Sequence, residues 1–367
     1  MEIRVKRRAI IWLTSTVFSL FLAGLYGWVI KLHHDYQNIP SEHLIGNKVT
    51  NIKALKEKGL PFSFLVISDT HNSNVGETLL KVAKKEGGVS FLIHVGDFVN
   101  GPGLWDHRFF LMEMVTEIKP PFPVFLVPGN HDIDYASKIK EYERRVTPEI
   151  YESLYGPRNF DFIFNSCLFI TCGIDPRNPT HYLNYLRETL SQKGVGRKYI
   201  FIFIHYPPER LVKHKGGGSL PNEEEFFRLI ESYKVTTCFF GHYHGYWRGQ
   251  RNGVNLVVVG GGGGRLKSWQ PEWGKFHHLL KITVDENLIS EGMRILSGEV
   301  YHPIRTVKKS ICVRLFPMIE NRNWILYTLA ILFLSLGIFS VIILSRFYLK
   351  RGDTINISKP KGKDERV

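Results

Sequence analysis

The sequence predicts an α/β domain set between two apolar helical segments. Three observations carry that reading. Apolar runs of strand length recur through the middle of the 367 residues, segments with helical patterning lie between several of them, and an uncharged stretch of 22 residues stands near each end. The strand-like runs are continuous rather than alternating, which implies sheets covered on both faces. With 44% apolar and 22% charged residues the chain can bury a large core and is not disordered.

The first uncharged stretch, residues 9–30, is long enough to cross about 30 Å of hydrocarbon as a helix. Residues 324–345, within a predicted membrane helix at 323–346, repeat the pattern, and both stretches have tryptophan or tyrosine near their ends, as side chains at headgroup level require. The alternative for the first is a cleaved signal peptide, whose apolar part runs only about 7 to 15 residues, so the length favours an uncleaved anchor. Arg4, Lys6, Arg7 and Arg8 precede the first stretch, and Arg346, Lys350 and Arg351 follow the second. By the positive-inside rule residues 1–8 and the basic tail 347–367 lie in the cytosol, and the domain between is periplasmic, extracellular or lumenal. The one permitted N-x-[ST] sequon, at Asn356, falls in that tail, which points to a bacterial envelope rather than a glycosylated lumen.

Of the net charge of +14, the two ends hold +3 and +4 and leave +7 for the middle. A moderately basic middle suits an anionic substrate or an acidic membrane surface. No Arg/Lys stripe interleaved with aromatics argues for nucleic acid. Four cysteines, at 167, 172, 238 and 312, have no C-x-x-C spacing, so neither a disulfide framework nor a thiolate zinc site is indicated.

Residues 31–61 read as a stalk with one helix against the domain, 62–300 as the domain, and 301–322 as a linker. Strands are predicted at 62–68, 89–95, 124–127, 160–171, 198–204, 235–240, 254–259 and 278–284, with helices at 76–86, 105–118, 179–192 and 222–233. Five of the strands end in polar clusters: Asp69 with His71, Asp97 with Asn100, Asn130 with His131 and Asp132, His205, and His242 with His244. Groups at the carboxyl ends of several strands of one sheet converge on a single crevice. Asp, Asn and His are oxygen and nitrogen donors suited to manganese, iron or zinc, and two such ions about 3.5 to 4 Å apart need a bridging carboxylate. The residual positive charge of such a pair favours a phosphate.

These clusters read in order as D-x-H, G-D-x-x-[DN], G-N-H-[DE], a lone His and G-H-x-H. In that order they resemble the calcineurin-like metallophosphoesterases. The resemblance implies a four-layer sandwich of two mixed β-sheets flanked by helices. It also implies that Asp69, His71 and His244 hold one metal, that Asn130, His205 and His242 hold the other, and that Asp97 bridges them. His131 would then be the acid beside the leaving-group oxygen. Asn100 and Asp132 would orient His131 or the ligands from behind. The phosphatase branch of that family usually has Asp where Asn100 stands, which points away from a phosphoprotein substrate.

The expectation is a membrane-anchored phosphoesterase with two divalent ions, manganese before iron or zinc. It would hydrolyse a phosphodiester or phosphomonoester of a small molecule, lipid or glycolipid by attack of a hydroxide shared between the metals. Anchors at both ends also resemble the membrane phosphoesterases that remove phosphoethanolamine from GPI lipids and, less closely, envelope enzymes acting on nucleotide-linked lipid precursors. The other readings are a phospholigand sensor without turnover and a cytosol-facing phosphatase. Two loops border the expected crevice: 101–108, with Trp105, His107 and Arg108, and 207–219, with Arg210, Lys213, His214 and Lys215. The glycine run 260–264 reads equally as a close backbone approach or as a flexible connection.

Overall fold

The computed structural model describes residues 2–57, 59–141, 144–211, 218–266, 274–298, 300–320, 322 and 324–352. The chain divides into a unit spanning Asn38–Val313 and a second formed by the segments up to Gln37 and from Arg314.

In chain order the elements are α1 (Glu2–Gln37), α2 (Val49–Lys53), β1 (Phe62–Ile67), α3 (Asn74–Lys85), β2 (Val89–Val95), α4 (Leu104–Met112), β3 (Val124–Val127), α5 (Pro148–Tyr155), β4 (Phe160–Phe164), β5 (Cys167–Cys172) and α6 (His181–Thr189). They continue with β6 (Ile200–Ile204), α7 (Glu223–Ser232), β7 (Thr237–Phe240), β8 (Tyr246–Arg251), β9 (Val254–Val259), β10 (His277–Val284), β11 (Ile289–Leu296), α8 (Pro303–Ser310), α9 (Phe316–Ile319) and α10 (Trp324–Gly352). Two mixed sheets result, ordered β11-β10-β1-β2-β3 and β4-β5-β6-β7-β9-β8. Strands β1, β2 and β3 run parallel, as do β5, β6, β7 and β9, so the carboxyl ends within each set share one sheet edge.

Phenylalanine fills the space between the sheets. Phe169 on β5 has ring neighbours Phe64, Phe91, Phe162 and Phe201 at 5.3, 5.0, 5.0 and 5.1 Å. Each such ring is worth about 1.5–3 kcal/mol in area removed from water, and edge-to-face pairs add to that. Outside the first sheet, α3, α4 and α5 bury Leu79, Leu80, Phe110, Tyr151 and Tyr155; outside the second, α6 and α7 bury Leu183, Leu186, Phe226 and Ile230. This is the expected four-layer arrangement.

Several boundaries depart from the sequence reading. The run 160–171 is two strands, because Asn165 and Ser166 take left-handed backbone angles (φ 46° and 63°) and turn the chain. Edge strands β8 and β11 and the short helix α5 lack a continuous apolar run and were not predicted. Helix α5 is instead marked by Thr147, whose hydroxyl accepts from Ile150 N, and by Pro148 in its first turn. Part of the expected stalk belongs to the sheet: Ile45 bridges to Val124, and the Asn47 amide donates to Leu126 O and accepts from Leu126 N at 2.7 and 3.0 Å. The segment read as a linker, 301–322, holds α8, whose Arg305 donates to Glu113 at 2.6 Å. All four cysteines are free and buried.

In the second unit, Trp12–Gln37 of α1 and Trp324–Ile343 of α10 have mean hydropathies of 1.6 and 2.5 and are long and apolar enough to cross a membrane. Their most apolar windows are only 11% and 17% buried, unlike a core helix of a soluble domain. Tyr26 stacks on Phe333 with centroids 4.9 Å apart.

Truncating Phe169 to Ala empties the middle of the phenylalanine layer, and the expected cost is about 3–5 kcal/mol. Thermal unfolding of the detergent-solubilised chain checks it: the midpoint should fall by several degrees, and an unchanged midpoint would contradict the central position given to this ring.

Candidate metal centre

The carboxyl ends of β1, β2, β3, β6 and β7 bring the five clusters together. The loop after β1 is zipped to the loop after β2 by Asp69 N to Gly96 O, His71 N to Asp97 O and Asn72 N to Phe98 O, at 2.9, 3.0 and 3.0 Å. The two sheets are joined at the same place, where His205 Nδ1 donates to Val95 O at 2.8 Å and His242 N donates to Asp69 Oδ2 at 3.0 Å.

Asp69, His71, Asp97 and His242 have φ of 58°, 51°, 54° and 67°. Left-handed backbone costs a non-glycine residue of the order of 1–2 kcal/mol, and four such residues at one spot mark a site held in place by its surroundings. Close approach is bought with glycine. A Cβ on Gly129 would fall on Asp97 Oδ1, and one on Gly264 would fall on the His244 ring. The run 260–264 is therefore packed against the site and is no flexible connection.

Ligand-type atoms of Asp69, His71 and His244 lie within 4.8 Å of one another, and so do those of Asp97, His205 and His242. His71 Nε2 stands 3.1 Å from His244 Nε2, and Asp97 Oδ2 lies 4.0 Å from both His71 Nε2 and His131 Nε2. The donor set fits cations on two counts. First, the Nδ1–H of His205 is committed to Val95 O, so Nε2 is the nitrogen turned toward Asp97 Oδ2 and Asn130 Oδ1, each 3.3 Å away. Two oxygens and this nitrogen facing one point call for a positive group there, either the Nε2 proton of a charged His205 or a cation that takes its place. Second, Asp69 Oδ1 is fully buried, receives no hydrogen bond, and faces His244 Nε2 at 3.5 Å.

The electrostatics agree. Burial works against charge on Asp97, but His205, His131 and His71 hold its carboxyl well below the usual range. His205, where burial also opposes charge, is lifted to about 10 by Asp97 and Asp69. Burial pushes His71 down to about 4, which leaves a neutral imidazole at neutral pH, the form that binds metal.

Asp132 accepts from Gly129 N, Asp97 N and Val99 N at 2.7, 2.8 and 3.3 Å, so it fixes two ligand loops. His131 Nδ1 donates to the backbone carbonyl of Asn100 at 2.8 Å, and the Asn100 side chain plays no part in that bond. His131 is 42% exposed at its side chain, with Nε2 toward Asp97. Sequence reasoning missed the carbonyls of Val95 and Arg265, the latter accepting from His244 Nδ1 at 2.9 Å. It also placed at the crevice edge two residues that the fold turns inward. Trp105 is 7% exposed and His107 is fully buried, its Nδ1 3.0 Å from the Tyr155 hydroxyl, so His107 faces the core. Arg210 is paired with Glu223 and Glu224, while Lys213, His214 and Lys215 lie outside the described residues.

Comparison with known proteins agrees with this geometry. The family model for calcineurin-like phosphoesterases matches residues 62–246, half of the chain. The chain belongs to the calcineurin-like phosphoesterase family. That makes it a metal-dependent phosphoric ester hydrolase by class, and the family uses a dimetal centre. It is 24% identical over 259 residues to a barley nucleotide pyrophosphatase/phosphodiesterase, covering 57% of this chain and 70% of that one. It is 23% identical over 292 residues to a probable inactive purple acid phosphatase of Arabidopsis thaliana, covering 64% and 45%. Among solved structures, purple acid phosphatase PPD1 from yellow lupin seeds shares the fold, with a TM-score of 0.50 at 17% identity over 66% of this chain and 53% of that one. The chain thus spans about half the length of the Arabidopsis and lupin proteins.

Gly264→Ala is expected to displace the His244 ring and lower the bound metal per chain without unfolding the domain. Elemental analysis with thermal unfolding as a control checks this; full metal content in the variant would contradict the close packing of that loop on the site.

Proposed function

We propose that this phosphoesterase is anchored in a membrane and hydrolyses a phosphodiester or phosphomonoester of a lipid-linked or envelope substrate. The observation that carries the hydrolytic part of the reading is the placement of His131. Its Nε2 faces Asp97, its Nδ1 is fixed by a carbonyl, and its ring is open to solvent beside the cluster. In this reading Asp69, His71 and His244 hold one ion, and Asn130, His205 and His242 the other. Asp97 is shared between the two, and manganese is the first choice before iron or zinc. Bound there, two divalent ions offset charge on the phosphate oxygens and acidify a water. His131 keeps a proton at Nε2 for the departing alkoxide, Asn100 O holds its ring, and Asp132 keeps the loops of Asp97 and Asn130 in register.

Two exposed apolar helices flanking the catalytic unit support the membrane anchor. The basic residues outside both spans support cytosolic termini and an extracytoplasmic domain. Tethering at two points restricts the crevice to substrates near the bilayer, hence a lipid or glycolipid phosphate. Nucleic acid is not among the partners proposed.

Hydrolysis of bis-p-nitrophenyl phosphate and p-nitrophenyl phosphate by the full chain in detergent micelles tests the chemistry. His131→Gln should keep its metal and lose about 10²–10⁴-fold in rate, whereas Asp97→Asn should lose both metal and rate. An undiminished rate in His131→Gln would remove the acid role, and metal binding without turnover of any ester would favour the sensor. A reporter fused to the carboxyl terminus should be active on the cytosolic side; activity on the other side would overturn the orientation and favour a cytosol-facing phosphatase.

A further inference from the structure

Helix α8 is amphipathic in the reverse sense. Its charged side chains point into the domain: Arg305 and Lys308 are each 7% exposed and pair with Glu113 at 2.6 and 2.9 Å, and Lys308 also pairs with Glu117 at 2.6 Å. Its apolar side chains Ile304 and Val307 point outward, 76% and 53% exposed, and Tyr301, just before the helix, is 79% exposed. Single exposed apolar residues are ordinary. Here two stand three apart on one short helix, with Tyr301 beside them, while Arg305 and Lys308 of the same helix are buried and neutralised, the opposite of a helix that faces water.

We propose that this outward face of α8 is seated in the headgroup region of a lipid bilayer. The inference rests on the membrane-spanning reading above. Two facts favour lipid over a protein partner. The chain runs on from α8 to Trp324, where the apolar helix α10 begins, and between Ile311 and Arg322 it carries Arg314 and Arg322 against the single acid Glu320, a charge that suits anionic headgroups. Tyr301, with an apolar ring and a polar tip, is a side chain suited to that depth.

The inner face of the same helix reaches the metal centre. Arg305 Nη1 and Lys309 Nζ donate to Asn72 O at 3.1 and 2.9 Å, so α8 props the loop that carries Asp69 and His71. A bilayer surface against the outer face of α8 then lies about one helix diameter, roughly 10–12 Å, from that loop. A headgroup phosphate is brought to the crevice edge without leaving its membrane. This placement supports the lipid class of substrate proposed above.

The test uses the full chain reconstituted in vesicles of phosphatidylcholine and phosphatidylglycerol containing, in separate samples, lipids brominated near the headgroup and lipids brominated near the acyl-chain end, the second set read against the label at mid-span. The four native cysteines are buried, so a single fluorophore goes to an introduced cysteine at Ile304→Cys or Val307→Cys. Controls are Leu288→Cys, 65% exposed at the β10–β11 turn, and Leu334→Cys in α10. Labels at 304 and 307 are expected to be quenched at least about twofold more than at 288, as for a face sunk into the interface. If the label at 334 is reached by lipid-borne quencher and those at 304 and 307 are no more quenched than at 288, the seating of α8 is overturned and the membrane span stands. If 334 is not reached either, the span reading fails and this inference fails with it. Labels shielded from aqueous iodide yet untouched by brominated lipid would show a protein or second copy on the face, which also overturns the proposal.

Discussion

The structure is organised around the cost of burying the Asp97 carboxylate. Removed from water, that charge is tolerable only with compensating positive charge and hydrogen bonds. Its Oδ1 accepts from His131 N at 2.8 Å, and its Oδ2 is surrounded by the Nε2 atoms of His205, His71 and His131 at 3.3 to 4.0 Å. The three imidazoles belong to three separate segments of chain, two in the loops of the first sheet and one at the end of β6 in the second, so the carboxylate is satisfied only when both sheets are in place. The fold and the site therefore depend on each other.

That dependence explains the glycines and the left-handed residues. Loops from two sheets can converge on one carboxylate only if backbone comes closer than a Cβ permits, as at Gly129 and Gly264. Strain at Asp69, His71, Asp97 and His242 is offset by the phenylalanine layer behind them, whose rings set the separation of the sheets. Packing far from the crevice thus sets distances within it.

Much of this was legible in the sequence because side chains carried it. Asp69, His71, Asp97, Asn130, His131, His205, His242 and His244 each follow an apolar run, and a parallel sheet places such positions at one edge. The backbone carbonyls of Val95, Asn100 and Arg265, which fix which nitrogen of three imidazoles is free, have no side-chain signature. Edge strands β8 and β11, half open to solvent, lack the continuous apolar run used to find the others. Helix α8 reads as a linker in the sequence because its buried positions are arginine and lysine, and only the facing Glu113 and Glu117, nearly two hundred positions earlier, make that burial possible. His107 was drawn toward the crevice by its place in a loop after a ligand strand, whereas α4 begins at Leu104 and turns it into the core.

The most direct test of the central claim, that Asp97 is shared between two cations, is electron paramagnetic resonance of the full chain titrated with Mn²⁺. Binding of two ions per chain with a spin-coupled signal is the expected result, and Asp97→Asn should abolish the coupling. A single, uncoupled six-line manganese signal at saturation, unchanged by Asp97→Asn, would contradict the account.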